Sequence, residues 1–151
     1  MIFGLIIIIS LIVSCILYNN LRNEVSEQIN FIDKLTSGNE VRNRLREAYT
    51  GYIMCLDVTH QPKTRKEVKD IISFMSSIEQ NFLVFDGSSA FLDDPQLVVD
   101  LKTQTLPSII ALKNGVIIQQ PITLSYHSLS NSQIVDKVKN FVGSTIREVS
   151  I

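Results

Sequence analysis

Chemistry in this chain would have to come from Cys15 and Cys55, His60 and His127, the pair Asp93-Asp94, or the cations Lys63, Arg65, Lys66 and Lys69. The two cysteines both lie in apolar runs, where a thiol is a small hydrophobe rather than an activated nucleophile. Only Cys55 follows the first apolar segment, so the rest of the chain cannot form an internal disulfide. His60 sits in a turn before a helical pattern, and a helix N-terminus disfavours its protonated form; it could act as a base or ligand. It has no partner at metal-ligand spacing, because His127 falls in a distant polar loop. Asp94 precedes Pro95, which suits a helix cap better than a catalytic carboxylate pair. The four cations open a helix at the end its dipole disfavours, so they are either solvated or reserved for an acidic partner. No Gly-rich phosphate loop, Gly-x-Ser-x-Gly elbow or zinc-hydrolase motif occurs. With a net charge of −1, the chain carries no footprint for nucleic acid.

The elements that would hold these residues follow from periodicity. A helix is expected from Glu40 to Tyr49, with Val41, Leu45, Ala48 and Tyr49 on one face and Thr50-Gly51 at its end. Tyr52 to Val58 is an apolar run of strand length, turned by Thr59-His60-Gln61-Pro62. Arg65 to Ile78 is amphipathic through Val68, Ile71, Ile72 and Met75; Phe82 to Phe85 is a second strand closed by Asp86-Gly87-Ser88-Ser89. Asp94-Pro95 opens a short helix through Leu101. Ser108 to Leu112 and Val116 to Gln119 form a hairpin about Asn114-Gly115, a pair suited to positive φ. Ser130 or Asn131 caps a last helix, with Ile134, Val135, Val138, Phe141 and Val142 inward and Gly143 as its C-cap. This order predicts an α/β fold: a mixed sheet with helices on both faces.

Ahead of this domain, Met1 to Leu21 carries no charged side chain, and Ile2 to Tyr18 is almost wholly apolar. As a helix that run would extend about 26 Å, near the thickness of a bilayer core, which predicts an N-terminal transmembrane helix. A cleaved signal would need basic residues ahead of Ile6, and there are none. Ile12-Val13-Ser14-Cys15 loosely resembles a lipoprotein lipobox, but the apolar run continues past the cysteine. Leu21, Val25, Ile29, Ile32 and Leu35 then stand at helical spacing, as a stalk would place them. Arg22, Lys34, Arg42, Arg44 and Arg46 all follow the span, so the positive-inside rule places the soluble part on the cytosolic side of the membrane. The expected organisation is a span over 1–19, a stalk over 20–38, a domain over 39–143 and a tail over 144–151.

Asp94-Pro95, Leu106-Pro107-Ser108 and Lys113-Asn114-Gly115, at their ungapped spacing, resemble the second half of the thioredoxin family. The resemblance covers roughly 40–142. It implies a thioredoxin-like sheet, a cis bond before Pro107, and a Pro107 loop that faces the active site and pairs with bound peptide. The family's Cys-x-x-Cys would fall where this chain has His60-Gln61-Pro62-Lys63. Without two thiols there, dithiol exchange has no mechanism. The expectation is a redox-inactive, membrane-anchored structural or adaptor protein, not an enzyme, without cofactor or metal. His60, Gln61, Pro62, Lys63, Leu106 and Pro107 form its candidate interaction surface. Its partners would be the bilayer and other proteins of a larger membrane-associated assembly, such as an organelle complex or a virion shell. The competing readings are an atypical thioredoxin-like or glutathione-binding oxidoreductase, for which Thr59 is the only nearby hydroxyl, and a chaperone-like peptide binder.

Overall fold

A computed structural model describes residues 9–20, 22–23, 35–58, 65–103, 105–124 and 129–150. The chain divides into two compact units, Met1–Leu35 and Thr36–Ile151. In the first, residues 9–20 are helical and every one of their side chains is exposed. These twelve residues extend about 18 Å, against the roughly 30 Å of a bilayer core. Among the described residues no helix is long and apolar enough to cross a membrane. The expected span is therefore not seen as such: its residues 1–8 lie outside the described residues, as do residues 21 and 24–34 of the stalk.

The second unit is an α/β domain. Its elements are α1 (Gly38–Arg46), β1 (Gly51–Leu56), α2 (Arg65–Ser77), β2 (Phe82–Asp86), α3 (Gly87–Asp93), α4 (Gln96–Asp100), β3 (Ser108–Lys113), β4 (Val116–Ile117), β5 (Ile122–Thr123) and α5 (Asn131–Val149). The sheet runs β2-β1-β3-β4, and β5 also pairs with β3. β1 is parallel to β2 and antiparallel to β3, so the sheet is mixed, as expected. Paired on both edges and covered on both faces, β1 is buried at all six positions, which explains why its sequence is a continuous apolar run without alternation.

Strand alternation divides the core in two. Ile53, Cys55, Ile110 and Leu112 pack with Val41, Phe85, Ala90, Leu97 and Leu101, beneath α1, α3 and α4. Tyr52 and Met54 turn to the opposite face, where α2 and α5 meet. There the Tyr52 hydroxyl, buried, shares a 3.0 Å hydrogen bond with Thr145 of α5. A buried hydroxyl left unpaired would cost more than this bond returns, so the pair fixes how α5 lies on the sheet.

Several boundaries differ from expectation. Ser37 caps α1, accepting from the Glu40 amide at 3.2 Å, so the helix starts earlier than Glu40. It ends in a Schellman motif, with Ala48 at φ 57° and the Tyr49 amide donating to the Arg44 carbonyl. Asp86-Gly87-Ser88-Ser89 is not a turn but the start of α3, with Asp86 as its cap. The second arm of the hairpin is shorter than expected. Residues 118–121 lie opposite only 110–111 of β3, a bulge containing Pro121, before the chain rejoins the sheet as β5. Gly143 does not end α5, which continues to Val149 through the buried Thr145 and Val149. A helical glycine costs only about 1 kcal/mol relative to alanine, less than the burial of the turn beyond it returns. The expected tail over 144–151 is thus mostly helix. Of the two candidate caps for α5, Ser130 serves: its amide donates to the Gln133 side chain at 2.8 Å in a capping box.

Candidate functional site

The first two strands end where β3 begins, and this end of the sheet gathers the candidate residues that the structure places. The Leu106–Pro107 bond is cis, as the resemblance implies. Pro107 is buried, and its carbonyl accepts from the Leu124 amide at 2.8 Å, which joins the start of β3 to the end of β5. Leu106 is half-buried and packs on the start of α3, where a Cβ on Gly87 would lie 2.9 Å from the Leu106 Cδ2. A side chain at Gly87 would force the end of the Leu106 side chain to shift. Of the expected interaction surface, then, Leu106 and Pro107 are placed at this end. His60, Gln61, Pro62 and Lys63 lie outside the described residues, as does His127.

Asp86, which the sequence places only in a turn, accepts four hydrogen bonds at this end of the sheet. Its Oδ1 accepts from the Ser88 amide at 3.1 Å, the Ser88 hydroxyl at 2.5 Å and the Val58 amide at 3.3 Å. Its Oδ2 accepts from the Ser89 hydroxyl at 3.0 Å. One carboxylate therefore caps α3 and ties the chain leaving β1 to that helix. The Asp-Gly-Ser-Ser stretch at the end of an apolar strand carried the signal, since the same residues suit an N-cap as well as a turn.

Across β1 from Asp86, at the start of β3, runs a line of hydroxyls. Thr103 shares a 2.8 Å hydrogen bond with Ser108, both buried, and also donates to the Thr105 carbonyl at 3.2 Å. Thr105 pairs with Thr123 of β5 at 2.7 Å on the exposed side. Ser108, the residue after Pro107, stands directly across from Cys55 in the antiparallel register. Burial pushes the Cys55 thiol far above its ordinary pKa, and Ser108 offsets this only in part. At 0% exposure the sulfur is both protonated at neutral pH and closed to attack. In a Cys15→Ser full-length chain in mild detergent, a thiol reagent is expected to leave Cys55 unmodified until denaturant is added. Stoichiometric labelling of the folded chain would refute the sealed site.

A second cluster holds the α3–α4 connection. Asp94 ends α3, and the Leu97 amide donates to its backbone carbonyl at 3.0 Å. α4 begins at Gln96 behind Pro95 without a side-chain cap, so the expected capping by the Asp94 carboxylate is not seen, and that carboxylate turns to Arg42 instead. Arg42 of α1 pairs with Asp94 through Nε and reaches Asp100, at the other end of α4, through Nη1 at 3.1 Å. One guanidinium thus clamps both ends of the short helix. The Arg42 hydrogen bond is the main cause that lowers the Asp94 pKa. A depressed folded-state pKa contributes stability above the unfolded carboxylate's value, about 3.9, and loses it as pH falls through the lower folded value. With both side chains partly exposed, at 22% and 29%, the contribution is screened and modest. Asp94→Asn is expected to lower the urea midpoint at pH 7, and the gap from wild type should close as pH drops from about 4 toward 2. A gap that stays constant with pH would disprove the assignment.

Among the described residues no group of three or more His, Cys, Asp or Glu side chains could hold a metal ion. The arrangement offers the exposed Thr105–Thr123 hydroxyl pair at the turn before Pro107, a capped helix start packed against Leu106, and a thiol sealed in the sheet. Compared with protein-family models, curated proteins and solved structures, the chain matches none of them.

Proposed function

We propose that this chain is a membrane-anchored, redox-inactive protein of thioredoxin-like fold that serves as a structural or adaptor component of a larger membrane-associated assembly. The observation that carries the reading is the placement of Cys55. It is the only cysteine in the unit Thr36–Ile151, and it lies at 0% exposure in the middle of the sheet with its pKa raised by burial. A dithiol reductase needs an accessible thiolate and a second thiol to resolve the mixed disulfide. This domain has one thiol, and it is neither ionised nor reachable.

The thioredoxin-like reading is supported by the strand arrangement. β3 opens at Pro107 beside the end of β1, in the register Cys55↔Ser108, so the proline turn and the exit of β1 share one end of the sheet. That is the relation the resemblance implies between the Pro107 loop and the segment His60-Gln61-Pro62-Lys63. Membrane anchoring is supported by the uncharged run through Leu21 and by the exposed, apolar 9–20 helix. With the family's chemistry absent, the fold's remaining use is as a surface, and the anchor would hold that surface at a bilayer.

Insulin reduction driven by dithiothreitol tests the redox half of the proposal. The protein is expected to match the rate without protein, and a Cys55→Ser variant should be indistinguishable from wild type. Turnover that disappears in Cys55→Ser would overturn the reading.

A further inference from the structure

We draw no further inference here: the strongest candidate, the exposed apolar side chains of Leu92 on α3 and Val99 on α4, carries nothing because nothing in the structure shows what covers them.

Discussion

Phe85→Ala is expected to destabilise the Thr36–Ile151 domain by about 3–5 kcal/mol, the range for truncating a large buried aromatic. Phe85 is fully buried in β2, where it pairs with Cys55 across the strand boundary. Its ring meets Phe91 of α3 edge to face, with centroids 5.9 Å apart and planes at 78°. The same residue forms the bridge to Thr36, whose amide donates to the Val84 carbonyl at 2.8 Å. Removing the ring therefore opens a cavity where the strand, α3 and the start of the domain converge, and β2 is not clamped there by a full neighbouring strand. Against a typical domain stability of about 5–15 kcal/mol, the loss takes a large share. Urea unfolding should show a much lower midpoint with an unchanged slope. Phe85→Leu, which refills most of the volume, should recover most of the difference. A change below about 1 kcal/mol in Phe85→Ala would mean that the Phe85–Phe91 contact is not part of the core.

The central elements were legible because each carries one strong local signal. Tyr52 to Leu56 is apolar without alternation, which fits a strand buried on both faces, and β1 (Gly51–Leu56) is that strand, ending before the Asp57-Val58 that the expected run included. The Asn114-Gly115 pair at positive φ marks the β3–β4 turn on conformational grounds alone. Where local signals were ambiguous, tertiary contacts decided. Asp86-Gly87-Ser88-Ser89 suits a turn or a helix cap equally, and the packing of Leu106 against Gly87 favours the helix. Gly143 looked like a stop, but the buried Thr145 and Val149 beyond it hold another turn and a half of helix against the domain. β5 leaves no signal in the sequence because Ile122-Thr123 is too short to show a period, and a bulge separates it from β4.

The site was partly legible. Leu106 and Pro107 stand out by motif, and their position at the start of β3 follows from the hairpin that comes after them. Asp86 at the end of β2 and the linked hydroxyls of Thr103, Thr105, Ser108 and Thr123 reach the same end of the sheet from three parts of the chain. Nothing in the spacing of small polar residues indicates that they will meet, because their contacts depend on strand register and not on local order. The burial of Cys55, in contrast, could be read from its neighbours alone.

The membrane anchor is the part of the proposal with the largest expected effect. A cation at the centre of a transmembrane helix costs roughly 2.5–3.5 kcal/mol on the insertion scale, so Leu11→Arg with Ile12→Arg would cost about 5–7 kcal/mol together. Both residues lie on the apolar 9–20 helix with exposed side chains, Leu11 at 62%, so neither substitution disturbs the core of Thr36–Ile151. The double variant should fold its α/β domain normally and still lose the membrane. A chain beginning at Leu35 should do the same, because it keeps the Thr36 bridge and the Ser37 cap.

Alkaline carbonate extraction of membranes from cells expressing the full chain measures this directly. The full-length protein is expected to remain in the pellet, while the Leu11→Arg/Ile12→Arg variant and the chain beginning at Leu35 appear in the supernatant. Release of the intact wild-type chain into the supernatant would contradict the anchored adaptor.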